Sequence, residues 1–179
     1  MRLRLIRLTP EDKVRLEEMM EEWTATGERI IPFALQRASW KDFDAYLNSL
    51  EIRPPCPAGT VPDSTFFCLD EESGQLVGAV NIRHFLNEAL LSSGGHIGDG
   101  VRPSWRGRGV ATQMIGLALA ECRKLGIRRV LMVCDHDNVA SARSIERNGG
   151  VLEDERMAHG VLVRWYWIDV PPDLSLIHI

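Results

Sequence analysis

The sequence predicts a single α/β domain: a mixed, mostly antiparallel central sheet flanked by about four helices. Three observations predict it. Runs at about 65–69 with 76–85, and at about 151–157 with 161–169, are joined by short polar or glycine-containing turns and read as hairpins. Segments with one apolar helical face are interspersed with these runs. The continuous apolar stretch Val130-Leu131-Met132-Val133-Cys134 has the character of a strand covered on both faces. At 179 residues the chain has the length of one domain, and size scaling buries about 70% of its unfolded surface, enough for a core without staples.

Leu3 to Leu8 mixes Leu and Ile with Arg in near alternation and reads as a first strand with one buried face. Thr9 then serves as an N-cap, Pro10 suits the first helical position, and Asp12 stands where a capping-box acid belongs. Leu16, Met19, Met20 and Trp23 share one face of the helix that follows, and Glu17, Glu18, Glu21 and Glu22 share the other. Residues 24–64 are less regular, with a second helix over about Trp40–Leu50 and a loop at Arg53-Pro54-Pro55-Cys56-Pro57. After the first hairpin, turned at Glu72-Ser73-Gly74-Gln75, comes a glycine-rich strand from about Gly95 to Val101. Arg102 to Arg108 is a basic loop, and Val110 to Leu125 a helix stopped by Gly126. The apolar strand 130–134 follows, then a short helix over Val139–Arg147 ended at Asn148-Gly149-Gly150, then the last hairpin around His159-Gly160.

Hydrophobic residues at 45% and charged residues at 26% exclude disorder, collagen and coiled coil as the main state. A net charge of −4 argues against a general nucleic-acid binder. No run approaches 18 apolar residues, so no membrane span is expected, and Arg2, Arg4 and Arg7 break up the start of the chain as no signal peptide would be. Cys56, Cys68, Cys122 and Cys134 form no C-x-x-C pair and read as reduced thiols of a cytoplasmic protein. The five histidines are scattered, so no metal site is expected. The last six residues, Leu174 to Ile179, match the translation of a transposon-based sequencing adapter and are read as an artefact, excluded from the fold.

The informative stretch is Val101-Arg102-Pro103-Ser104-Trp105-Arg106-Gly107-Arg108-Gly109-Val110-Ala111. A strand ends, a turn with two glycines follows, and a long helix begins. The first N–H groups of a helix lack intrahelical partners, and the helix dipole adds roughly half a positive charge there. Gly107, Gly109 and Ala111 let a phosphate approach the backbone, and Arg102, Arg106 and Arg108 put three cations beside it. These residues predict a phosphate or pyrophosphate site. The pattern G-x-x-x-x-G-K-[ST] is absent, and the third glycine of G-x-G-x-x-G is replaced by Thr112.

What stands there is Arg106-x-x-Gly109-x-Ala111, with a V-x-P-x-x-R lead-in from a strand, an amphipathic helix, a buried strand, and Asn138-x-x-Ser141 opening a second helix that ends in Asn148-Gly149-Gly150. This resembles the Q/R-x-x-G-x-G/A signature of the GNAT N-acetyltransferase superfamily, most specifically over residues 96–150 and in outline up to about 169. The resemblance implies the GNAT fold, with the sheet splayed at the cofactor, and one N-acetyltransferase domain over 1–170 with 24–64 as a helical lid on the substrate side. It implies acetyl-CoA as co-substrate, transfer of acetyl to a primary amine of a small molecule or peptide, and no metal. Val101 would pair with the pantetheine arm, and the backbone from Arg106 through Gly107, Arg108, Gly109 and Val110 to Ala111 would hold the pyrophosphate. Asn138 would contact the pantetheine, though it reads equally as a helix N-cap. Ser141 and Ser144 would face the cofactor or solvent.

The amine must lose a proton to attack the thioester. His96 and Asp99, on the glycine-rich strand, are the candidate bases, with His136 a weaker third; an odd spacing sends His96 and Asp99 to opposite faces of a regular strand. His84 reads as structural. Many members of the family carry a tyrosine acid seven residues after the asparagine; here that position is Ile145, so no tyrosine acid is assigned. That departure motivates a second reading, an acyl-CoA-binding regulatory module without catalysis. A third is a nucleotide-phosphate-binding module. A homodimer is left open.

Overall fold

The computed structural model describes residues 1–170; the expected adapter-derived tail lies outside them. The chain runs β1 (Leu3–Ile6), α1 (Lys13–Ala25), α2 (Phe43–Ser49), β2 (Asp63–Asp70), β3 (Gln75–Arg83), β4 (Ile97–Val101), α3 (Val110–Lys124), β5 (Arg129–Asp135), α4 (Val139–Arg147), β6 (Val151–Ala158) and β7 (Val161–Asp169). The strands form two antiparallel ladders, β1-β2-β3-β4 and β5-β7-β6. The mixed α/β class with mostly antiparallel pairing and four α-helices is the architecture expected.

Local chemistry places most boundaries. The Asp12 carboxylate accepts from the Thr9 N–H at 2.9 Å, as a capping box requires, although Pro10–Asp12 form a 3₁₀ turn before α1 proper begins. Asp42 caps α2 by accepting from the Ala45 N–H at 3.2 Å, which delays that helix past the expected Trp40 start. His159 and Gly160, both at positive φ, make the two-residue turn between β6 and β7. Residues 84–96, which carry no sequence periodicity, hold a short π-helical turn at Leu90–Gly94.

One hydrophobic cluster packs α3 and α4 against the sheet, around Met114, Ile115, Ala118, Val130, Ile145 and Tyr166. A second, on the other face, packs Leu16, Met19, Met20 and Trp23 of α1 and Tyr46 of α2 against Phe67, Leu76 and Ala79. The two ladders meet at one point. The His96 N–H donates to the Leu131 carbonyl at 2.8 Å, and the Leu131 N–H donates to His96 Nδ1 at 2.9 Å. A Cβ on Gly95 would stand 2.5 Å from the Leu131 oxygen, so this approach requires glycine. Beyond it β4 and β5 share no ladder among the described residues, and the sheet opens toward the start of α3.

Candidate active site

The open end of this splay leads into the turn read from sequence. Gly107 (φ 73°) and Gly109 (φ 80°) are left-handed, a region that disfavours residues with a Cβ, and nothing lies within 4 Å of where either Cβ would stand. The first backbone bond of α3 runs from the Gln113 N–H to the Gly109 carbonyl at 3.2 Å. Among the described residues the N–H groups of Gly107, Arg108, Gly109, Val110, Ala111 and Thr112 donate to no protein acceptor. Six consecutive free donors at a helix N-terminus form a cradle for an anion.

Two of the three cations expected beside that cradle are engaged elsewhere. Buried Arg102 donates to Glu22 Oε1 at 2.9 Å and to the Leu76 carbonyl at 3.2 Å. Arg106 forks onto Glu28 and donates through Nε to the Val101 carbonyl at 3.3 Å. Glu22 also accepts from the Ser104 N–H and hydroxyl, at 3.0 and 2.8 Å. Burial pushes the Glu22 carboxyl up, but Ser104 and Arg102 outweigh it and hold it below the usual carboxylate range. These cations therefore fasten the β4–α3 loop to α1 and to the segment that follows it. Arg108 alone keeps its guanidinium near the turn, 4.0 Å from the Trp105 ring centroid.

Asn138 is the N-cap of α4, accepting from the Ser141 N–H at 3.1 Å, and it stays exposed. Ser144 does not face solvent. Its hydroxyl donates to the Ala140 carbonyl at 3.0 Å and accepts from Thr112 Oγ1 at 3.3 Å, joining α4 to α3. Ile145, in the place of the family tyrosine, is fully buried core. Tyr166 comes from β7 to the neighbouring turn of α4, where its hydroxyl donates to Glu146 at 2.9 Å.

The two candidate bases part company. His96 is the clasp at the closed end of the splay. Its Nδ1 lone pair is taken by the Leu131 N–H, so the ring proton sits on Nε2. Burial pushes its pKa down to about 4, and the Arg83 charge adds to the effect. A ring so placed has no free lone pair with which to take a proton, so the base reading moves off His96. Asp99 lies mid-strand in β4, half-buried, on the α3 side of the sheet with Ile97 and Val101. Desolvation pushes its pKa up to about 6, against the opposing pull of Arg83. His136 pairs with Glu155 at 3.1 Å, out on the hairpin.

The lid face of the sheet carries residues that sequence reasoning did not single out. Thr65, Asn81 and Gly98 form one cross-strand rung, and Asp63 and Arg83 begin the next. The Asn81 amide nitrogen donates to Thr65 Oγ1 at 3.0 Å, while its Oδ1 is buried without a partner. Asp63 is held by Arg37, from the segment between α1 and α2, and by the Ile52 N–H. Arg37 also lines a cleft of about 570 Å³ between the end of α1 and residues 35–40, with Thr24, Glu28 and Trp40 among its walls. The signal was present: Asn81 and Arg83, two apart, put two polar side chains on one face of a strand that is otherwise apolar from Leu76 to Val80.

A splayed α/β sheet with an anion cradle beside the opening is the arrangement that the GNAT resemblance implies. The model of the acetyltransferase (GNAT) domain matches residues 2–151, and the chain belongs to that family. A curated relative is the mycothiol acetyltransferase of Geodermatophilus obscurus, 27% identical over 178 residues, covering 92% of this chain and 53% of that protein. The chain thus spans about half the length of that relative. Among solved structures it is similar to RimL, a ribosomal alpha-N-protein acetyltransferase in complex with coenzyme A, at 16% identity and a TM-score of 0.64 over 94% of each chain. It is also similar to a spermidine N-acetyltransferase SpeG chimera from Vibrio cholerae, at 17% identity and a TM-score of 0.62, over 94% of this chain and 96% of that one. These structural likenesses show the GNAT fold.

Proposed function

We propose that this chain binds acetyl-CoA with its pyrophosphate on the turn before α3 and transfers acetyl directly to a primary amine, with Asp99 as proton acceptor. The observation that carries the reading is the run of six unpartnered N–H groups from Gly107 to Thr112, at the open end of the β4–β5 splay. The cradle fits a pyrophosphate because its donors are backbone groups and its two left-handed glycines leave their outer side clear. The two solved structures named above are of enzymes that act on a protein α-amine and on spermidine, which favours an amine acceptor here.

Bound acetyl-CoA supplies a thioester whose carbonyl the amine attacks; a C–N bond forms and the C–S bond breaks. Asp99, with a pKa near 6, is ionised at neutral pH yet basic enough to take the ammonium proton. Backbone N–H groups along the β5-facing edge of β4, free of a ladder, stabilise the developing oxyanion. Solvent protonates the leaving thiolate, because Ile145 offers no acid. Burial pushes the Cys68 and Cys122 thiols up to about 12 and raises Cys134, so none is suited to a covalent acyl-enzyme.

Thiol release from acetyl-CoA, followed with pools of small amines and of peptides with free N-termini, tests the proposal. Amine-dependent release with a matching acetylated product is the expected result. Binding of CoA without release in any pool would contradict it.

A further inference from the structure

We infer that the acceptor is an amine carrying a carboxylate close to the reacting nitrogen, of the α-amino acid class, gripped by Arg83 and Asn81 on the lid face of β3 and β4. The inference rests on the acetyltransferase reading and adds the acceptor class.

Three features on adjacent rungs carry it. Arg83 is half-buried, yet none of the described carboxylates lies within ion-pair distance of it. Its Nη1 donates to the Gly94 and Gly95 carbonyls at 3.1 and 3.5 Å, while Nε and Nη2 have no partner among the described residues. Arg37 has already taken Asp63, the residue across from Arg83 on β2. A cation withdrawn from solvent is normally paired or hydrogen-bonded through most of its donors, and two idle donors on one planar fork match the paired oxygens of a carboxylate.

The second feature is Gly98. A Cβ there would stand 3.0 Å from Arg83 Nη2 and 3.2 Å from Nη1, so the guanidinium lies flat against β4 because that residue has no side chain. That sets the fork one residue from Asp99, on the opposite face of the same strand. The third feature is the orphaned Asn81 Oδ1 on the rung directly across from Gly98. A buried acceptor without a partner destabilises the fold, and a ligand N–H removes that cost. Because the Arg83 fork lies against Gly98, across from Asn81, a cation fork and an orphan acceptor meet on one face, which suits a molecule that bears a carboxylate and an amine on the same carbon. A polyamine would bring a second cation to Arg83 and be repelled.

The test compares an equimolar mixture of the standard α-amino acids with a mixture of their carboxamides. Two readouts are taken: thiol release from acetyl-CoA, and the shift in melting temperature of the CoA-saturated protein. The acids are expected to give kcat/KM at least about 10-fold above the amides, equivalent to about 1.4 kcal/mol, and a thermal shift that the amides lack. Arg83→Gln is expected to raise KM for the acids about 10-fold or more, with the Kd for CoA unchanged. Should that variant fail to fold, Arg83→Lys, which keeps charge but loses the fork, is expected to lose most of the preference. Amides that match or exceed the acids in both readouts, or an Arg83 variant that keeps the full preference, would overturn the inference. The thermal shift keeps the two readings apart. Acids that bind without thiol release would leave the carboxylate site standing and sink the transfer reading.

Discussion

Asp99→Asn separates catalysis from stability in opposite directions. The substitution keeps the shape of the side chain and removes its ability to accept a proton. General-base catalysis contributes about 10²–10⁴-fold, so kcat/KM should fall by about 10²-fold or more. The parent should gain activity as pH rises to about 6 and then level off, because Asp99 must be ionised to act; the variant should lose that limb. Stability moves the other way. The folded protein holds the Asp99 proton more tightly than the unfolded chain, whose carboxyl has the ordinary pKa of about 3.8. Between about pH 4 and 6 the Asp99 contribution therefore makes folding less favourable as pH rises, and the full penalty persists above 6. Two pKa units correspond to about 3 kcal/mol, and partial exposure of the side chain reduces this to about 1–2 kcal/mol. Asn carries no such penalty, so at pH 7 the variant should melt several degrees higher, at about 2–4 °C per kcal/mol. Thiol-release kinetics and scanning calorimetry across pH 4–8 measure both effects. A variant with the parent's rate and pH profile, or one that melts lower at pH 7, would refute the role given to Asp99.

His96 should behave as a clasp. Its folded pKa of about 4 lies below the ordinary value of 6.5, so it weakens folding as pH falls from 6.5 toward 4, and calorimetry of Asp99→Asn, free of the opposing trend, should show stability falling with pH in that window. His96→Ala leaves the Leu131 N–H without its partner and should cost about 1–3 kcal/mol at pH 7, with the pH limb of the residual activity unmoved; loss of that limb would return His96 to the chemistry. Arg108→Ala should weaken CoA binding by less than about 10-fold in calorimetric titration, since the cradle is built of backbone N–H groups; a larger loss would make the side chain the main anchor.

The parts of the site that sequence exposed are those made locally. Thr9 with Asp12, the two glycines before α3, and Asn138 with Ser141 each act within about four residues, so their spacing carries the geometry. The parts it hid depend on distant partners. Arg102 and Arg106 look like free cations until Glu22 and Glu28, about 80 residues earlier in the chain, take them. Ser144 looks solvent-facing until Thr112 meets it across two helices. The splay itself rests on Gly95 and His96 touching Leu131, 35 residues on, a contact that no periodicity encodes. Asn81 and Arg83 were visible as polar intrusions in an apolar strand, but their meaning needs the neighbouring strands.

The cradle is tested most directly by calorimetric titration of CoA into the parent, Gly109→Val and Gly74→Val. Gly109 and Gly74 share positive φ, 80° and 73°, and an added Cβ meets nothing within 4 Å at either, so each substitution brings similar backbone strain, about 1–2 kcal/mol. Only at Gly109 would the valine stand where the pyrophosphate is held. Folded Gly109→Val is expected to bind CoA about 10-fold more weakly or worse, and Gly74→Val to bind it like the parent. A folded Gly109→Val protein with the parent's affinity for CoA would contradict the assignment of the turn, and with it the acetyl-CoA site.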